Sequence, residues 1–225
     1  VPLNIRQPEP YNYSADLCAG RMDLQADAHC LFGTLFPPEL TLLDVGSGQG
    51  RIKDRVPYPT TTWDIDSRLG PAPAGCGWVD AAGPEAFPQG SFDLVTAFDV
   101  LEHVELDRAF LSSLSNCARR AVFVTTPNWF VTRCNEAKGG STHHWREYTA
   151  GELLGLALTS SRKFPDLLLL AYYKDAAGGW WEFPRPGLPE PLRRRHGLLL
   201  CSTQDDHHRI RHAVLDAAQP NRTPG

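Results

Sequence analysis

The chain has little that would tie it to thiolate chemistry, a membrane or a polyanion. Its six cysteines, Cys18, Cys30, Cys76, Cys117, Cys134 and Cys201, are scattered, with no Cys-x-x-Cys pair. That argues against a zinc ribbon or a thioredoxin-type site and favours reduced thiols. No apolar run approaches the roughly 20 residues of a membrane-spanning helix, and the N-terminal residues carry no signal-peptide pattern. The expectation is a cytoplasmic chain with no membrane span. Basic residues are not in excess: 22 Lys and Arg against 26 Asp and Glu give a net charge of −4. The electrostatic footprint of tight, non-specific nucleic-acid binding is therefore missing. Internal repeats and low-complexity tracts are lacking too. What is left, 225 residues with 42% hydrophobic content, suffices for one globular domain with a sizeable core.

Short apolar runs alternate with helical patterns along the chain. Residues 1–13 read as an extended arm rich in Pro and Tyr, and Ser14 caps an expected helix running to about Phe32. Strands are expected at 40–45, 60–63, 77–79, 92–98, 121–125, 167–173 and 197–201, and helices at 105–114 and 149–158. Thr149 and Glu152 supply a capping-box pattern for the last helix. Residues 184–191 read as a Pro-rich loop, and the residues after Cys201 as a polar tail. This alternation argues for an α/β protein with a mostly parallel sheet and helices on both faces.

The segment Leu42-Leu43-Asp44-Val45-Gly46-Ser47-Gly48-Gln49-Gly50 carries the most information. A buried strand ends in a carboxylate and enters a loop with glycine at alternate positions. Glycine tolerates positive φ and lets a ligand approach the backbone closely. The spacing is Gly-x-Gly-x-Gly, not the Gly-x-Gly-x-x-Gly of dinucleotide sites. Asp44, Asp64 and Asp80 each end an expected strand, where open α/β sheets bind their ligands. Asp64 lies where a carboxylate could accept both hydroxyls of a ribose, and Asp80-Ala81 where an acceptor could meet an adenine amino group. The bland alternative is that these aspartates cap helices.

These pieces, with Trp63-Asp64-Ile65-Asp66, Gly90-Ser91-Phe92-Asp93-Leu94-Val95 and Phe98-Asp99-Val100-Leu101-Glu102-His103-Val104, resemble the class I S-adenosylmethionine-dependent methyltransferases over residues 40–160. The resemblance implies a Rossmann-like, seven-stranded, mostly parallel sheet with helices on both faces and a short N-terminal helical cover. It implies a single methyltransferase domain over 1–205, with arm and cover helix in 1–35, and a C-terminal tail over 206–225. It assigns the methionine part of S-adenosylmethionine to the loop at Asp44, Gly46, Ser47 and Gly48. Asp64 takes the ribose, with Asp66 as fallback, Asp80 and Ala81 take the adenine, and Ile65, Phe98 and Asp99 complete the cofactor site. Arg21, on the cover helix, either pairs with the cofactor carboxylate or is a solvated surface arginine.

Asp99, Glu102 and His103 stand at i, i+3 and i+4, and would share one face of a helix starting there. Two carboxylates and an imidazole make half of a divalent-metal site, for Mg2+ or another cation, and His144 would be a fourth ligand. The pattern resembles the Glu-x-x-Glu-His motif of ubiquinone-pathway O-methyltransferases. It also resembles that of small-RNA 3′-terminal 2′-O-methyltransferases, which continue through a Thr-Pro-Asn segment to a further His. Here the counterparts are Thr126-Pro127-Asn128 and His144, and Asp99 replaces the first Glu. The alternative is a metal-free site in which His103 orients the cofactor loop and His144 or His143 is the general base.

Asp205-Asp206-His207-His208 reads as a solvated turn before it reads as a metal cluster, and Arg193–His196 as a solvated edge before an RNA contact. Trp129, Trp145, Trp180 and Trp181 are candidates for the walls of an acceptor pocket or for core packing. The expected activity is methylation of a small-molecule hydroxyl, with nucleic acid disfavoured as a partner. Two alternatives stand: RNA 3′-terminal 2′-O-methylation, and a non-catalytic cofactor-binding subunit.

Overall fold

Strand residues that point alternately to opposite faces build a sheet with a core on each side. The computed structural model describes residues 36–47, 56–64, 88–129, 144–160, 164–173, 179–182 and 193–217. Within them β1 (Leu42–Val45), β2 (Thr60–Trp63), β3 (Phe92–Phe98), β4 (Ala118–Pro127), β5 (Asp166–Tyr173), β6 (Gly179–Glu182) and β7 (Arg193–Cys201) form one sheet, ordered β2-β1-β3-β4-β7-β5-β6. β1 lies parallel to β2 and β3, and β3 parallel to β4. β7 inserts antiparallel between β4 and β5, and β6 adds antiparallel to β5. Only β6 and β7 therefore run against the common direction, as a mostly parallel sheet requires. Six of the strands coincide with expected ones. The strand expected at 77–79 and the N-terminal cover helix fall outside the described residues, and β6 is not expected from the sequence.

Among the described residues three α-helices, α1 (Asp107–Cys117), α2 (Ala150–Ser160) and α3 (Gln204–Ala217), flank the sheet. Leu43, Val45, Val95, Ala97, Val122 and Val124 pack with Phe110, Leu114 and Leu153 on the α1–α2 face. Their neighbours Leu42, Leu94, Phe98, Ala121 and Phe123 pack with Ile210 of α3 on the other. Period-two alternation in β3 and β4 thus fills both layers. Thr149 begins α2 as expected: Glu152 Oε2 accepts from its N–H and Oγ1, each at 2.8 Å, and Glu152 N–H donates to Thr149 Oγ1 at 3.3 Å. Among the described residues, no helix is long and apolar enough to cross a membrane.

Two expectations need correction. The helix expected from Glu105 starts instead at Asp107 and runs to Cys117, because Leu101–His103 closes its own 3₁₀ turn and Val104 is extended. The expected polar tail is, over Gln204–Ala217, the helix α3. Thr203 Oγ1 accepts from Asp206 N–H at 3.1 Å, Ile210 is buried, and Asp206 lies buried against Arg120, with Nη2 to Oδ1 at 2.7 Å. Asp205–His208 is accordingly the first turn of a packed helix, not a solvated turn.

At the opposite end of the sheet from the glycine turn, Asp93 of β3 ties Thr41, just before β1, to Arg119 of β4. Its Oδ2 accepts from Thr41 N–H and Oγ1 at 2.9 Å each, and its Oδ1 from Arg119 Nε at 2.8 Å. The Arg119 hydrogen bond, then those from Thr41, outweigh desolvation and hold the carboxyl down at about 2. The folded value lies below that of an unfolded aspartate, near 4, so the stabilisation is present at neutral pH and fades as pH falls from about 4 to 2. Solvent screening at exposed Arg119 limits it to about 1 kcal/mol. Asp93→Asn should lose that amount in urea unfolding at pH 7, and its deficit against the parent chain should vanish near pH 2.

Candidate active site

The chain leaves β1 for β2 on one side, then passes back over β1 to β3 on the other. A crevice therefore opens beyond the carboxyl ends of β1 and β3, where open α/β sheets bind ligands. Asp44, on β1, is buried, and its Oδ1 accepts from Thr96 Oγ1 of β3 at 2.8 Å. Its carboxylate thus ties the two strands together beneath the crevice. Gly46 follows at φ 72°, and its N–H and that of Ser47 donate to Trp63 O at 2.8 and 3.2 Å. A Cβ at Gly46 would also collide with Val100 Cγ2. Val45 is in register with Trp63, so Gly46 and Asp64 leave the sheet side by side, and Asp64 is largely buried. Arg21, Gly48, Ile65, Asp66, Asp80, Ala81 and His143 lie outside the described residues. Phe98 ends β3 with its ring edge-on to Phe123 at 5.3 Å, so its side chain belongs to the core.

The next residue turns the chain. Asp99 has φ 52°, and its N–H donates to Thr125 O and Oγ1 at 3.1 Å each. Its carboxylate receives Thr125 Oγ1 at 3.3 Å and Arg195 Nε of β7 at 2.9 Å. The expectation that Asp99, Glu102 and His103 share one helical face fails, because Asp99 is left-handed and precedes the 3₁₀ turn. Arg195, expected on a solvated edge, is half-buried against Asp99, and its neighbour His196 is fully buried.

Glu102, His103 and His144 do converge. Their ligand atoms lie within 4.8 Å of one another. Buried Glu102 Oε1 is 4.0 Å from His103 Nε2, and the His103 and His144 rings meet edge to face at 4.9 Å. Asp99 is not part of the group. One carboxylate and two imidazoles make a donor set that suits a divalent transition metal. The same set can serve a proton transfer.

The segment carrying His144 is fixed at several points. Trp145 N–H donates to Glu102 O at 2.7 Å, and Trp129 N–H to Tyr148 O at 3.2 Å. Arg146 Nη1 and the Tyr148 hydroxyl both reach Asp107 Oδ2, at 2.8 and 3.0 Å. Burial, then the Asp107 charge, push the Tyr148 hydroxyl far above the usual phenol range, so it is no base. Glu147 Oε1 lies 2.8 Å from His144 Nδ1. Glu147 and Thr125 are site residues not singled out by sequence, which reads Arg195 only as part of a solvated edge. Only Glu147, a carboxylate three positions from His144, left a readable signal. Trp145 adjoins the site through its backbone bond to Glu102, whereas nothing is described for the side chains of Trp180 and Trp181.

Gly46→Ala should cost about 1–2 kcal/mol in backbone conformation alone, and more through Val100. Gly90, also at positive φ, would bring an added Cβ only to 3.3 Å from flexible Arg119 Cγ. Urea unfolding should therefore rank Gly46→Ala well below Gly90→Ala in stability.

No protein-family model matches the sequence, and no curated protein does. Solved structures do. A methyltransferase of Thermotoga maritima, described as S-adenosylmethionine-dependent and as a possible histamine N-methyltransferase, matches at 12% identity and a TM-score of 0.60, over 84% of this chain and 96% of that one. The magnesium protoporphyrin IX methyltransferase of Synechocystis PCC 6803, with S-adenosylhomocysteine bound, matches at 14% and 0.58, over 88% and 90%. The plantazolicin methyltransferase, also with S-adenosylhomocysteine, matches at 13% and 0.58, over 84% and 87%. By these likenesses this chain has the fold of the class I S-adenosylmethionine-dependent methyltransferases.

Proposed function

We propose that the chain is an S-adenosylmethionine-dependent methyltransferase acting on a hydroxyl of a small molecule. The observation that carries this reading is the convergence of Glu102, His103 and His144 just past the carboxyl end of β3, on a methyltransferase fold. A negative net charge favours a small acceptor over a nucleic acid. So do the porphyrin and plantazolicin named for two structural neighbours.

The residues present fit the cofactor: a glycine turn at positive φ beside a largely buried carboxylate at the end of β2. Gly46, Ser47 and Gly48 would hold its methionine part, with Arg21 on the carboxylate. Asp64 would hold the ribose, and Asp80 and Ala81 the adenine. When bound, S-adenosylmethionine supplies an electrophilic methyl on a sulfonium. The chain's part is alignment, worth up to roughly 7–11 kcal/mol, and removal of the acceptor proton. A phenol near pKa 10 needs about 4 kcal/mol for deprotonation at neutrality, and His144 as general base supplies part of that. In a metal-assisted form Glu102, His103 and His144 would instead hold a divalent cation, which would act as Lewis acid toward a less acidic alkyl hydroxyl.

The test is transfer of labelled methyl from S-adenosylmethionine into a host extract, separated into small-molecule, RNA and protein fractions. Label among small molecules is expected, and label confined to RNA would overturn the reading in favour of terminal 2′-O-methylation. With an acceptor in hand, His144→Asn should lower kcat about 10²–10⁴-fold, and S-adenosylhomocysteine affinity by calorimetry should stay within threefold. Asp64→Ala should do the reverse, weakening that affinity at least about tenfold, a loss of about 1.4 kcal/mol. Loss of activity in EDTA with recovery on adding Mg2+ or Mn2+ would establish the metal-assisted form, and indifference to EDTA the metal-free one.

A further inference from the structure

We propose that Glu147 is a positioning residue that fixes the His144 ring in one tautomer, with the proton on Nδ1 and the Nε2 lone pair presented to the acceptor hydroxyl. The inference rests on the reading of His144 as proton acceptor given above, but its physical basis is separate. Glu147 Oε1 lies 2.8 Å from His144 Nδ1, and both side chains are largely buried, at 10% and 16% exposed. A neutral imidazole has one donor and one acceptor nitrogen, whereas an ionised carboxylate only accepts. Their contact therefore requires the hydrogen on Nδ1, and Nε2 becomes the accepting nitrogen.

The pairing is built by the fold, not given by helical spacing, since residues 144–149 precede α2. Trp145 is held to Glu102 by its N–H, and Arg146 and Tyr148 to Asp107 by their side chains. Asn128 and Tyr148 form a parallel bridge, and the Thr149–Glu152 cap fixes the start of α2. Glu147 sits between anchored neighbours on both sides, so its carboxylate reaches His144 at little entropic cost. An isolated surface ion pair has no such support.

S-adenosylmethionine, when bound, would supply its methyl to the acceptor oxygen and keep the electron pair of the broken carbon–sulfur bond on sulfur, as a neutral thioether. The hydroxyl proton passes to His144 Nε2, and the imidazolium so formed faces the Glu147 carboxylate until the proton leaves to solvent.

The experiment reads the tautomer directly. Two-bond proton–nitrogen correlation spectra are recorded at pH 8 on metal-free chain labelled with 15N-histidine, and His144 is assigned by the signals lost in His144→Asn. The parent chain is expected to show His144 protonated on Nδ1, and Glu147→Ala to convert it largely to the Nε2-protonated form that histidine prefers in water. Glu147→Met, of similar length and without an acceptor oxygen, takes its place if the alanine variant unfolds. In activity, the same variants should lose about 10–100-fold in kcat, with KM for S-adenosylmethionine within twofold, and Glu147→Asp should recover part of the loss. An Nε2-protonated His144 in the parent chain, an unchanged tautomer in both variants, or a kcat within twofold of the parent would each overturn the proposal. If no hydroxyl acceptor is ever labelled, the functional reading fails on its own, and the spectra still decide the orientation.

Discussion

The contact between Gly46 and Val100 is the constraint on which both halves of the site depend. Gly46 turns the chain out of β1 in a left-handed conformation, and Val100 occupies the space a Cβ there would need. Val100 in turn precedes the 3₁₀ turn that carries Glu102 and His103. The proposed cofactor turn is therefore in van der Waals contact with the residue that leads into the turn carrying Glu102 and His103. One layer deeper, the Asp44–Thr96 hydrogen bond holds the same two strands together. A displacement of either strand end would move the other, because a close-packed interior leaves no slack to absorb it.

Asp99 and Asp107 do for the second half what Gly46 does for the first. A non-glycine residue in the left-handed region costs about 1–2 kcal/mol and persists only where its surroundings enforce it. At Asp99 the enforcement comes from Thr125 on β4 and Arg195 on β7, so the inserted antiparallel strand takes part in aiming the 3₁₀ turn. Asp107, buried at the start of α1, gathers Arg146 and the Tyr148 hydroxyl. Asp107 and Tyr148 are buried whereas Arg146 is exposed, so loss of the carboxylate would above all strand the buried Tyr148 hydroxyl. His144 thus owes its position to a carboxylate on a different element, across the sequence gap from 107 to 148.

How much of this the sequence revealed follows from which signals are local. The strands around Leu42–Val45 and Phe92–Phe98 are legible as apolar runs bounded by turn residues, and the Thr149–Glu152 cap from its spacing alone. α3 is not legible as a packed helix: of its described side chains only Asp206 and Ile210 are buried, and Asp206 is paired with an arginine 86 positions away. A charged residue satisfied at long range looks like solvated surface in a one-dimensional reading. Asp99 misled for a related reason. Spacing of i, i+3 and i+4 puts three side chains on one face only if all three are helical, and the backbone conformation of Asp99 is set by Thr125 and Arg195, which spacing does not report. The Glu102–His103–His144 group was legible because two of its members are adjacent in sequence and a known motif joins them to the third.

The displacement of Asp99 changes the chemistry open to the site. Two carboxylates with two imidazoles would give a set hard enough for Mg2+, whereas one carboxylate with two imidazoles favours borderline cations of the Mn2+ to Zn2+ series. A carboxylate neutralised by Arg195 also contributes less negative charge to the crevice, so electrostatic attraction for any cation is weaker than the acidic residues alone suggest. Such a site leans toward proton transfer by imidazole, for which an acceptor no less acidic than a phenol is suited. An alkyl hydroxyl would need the stronger polarisation of a metal ion. Under the proposed reading, the ion pair between Asp99 and Arg195, a feature of the inserted strand, therefore bears on which hydroxyls would be acceptors.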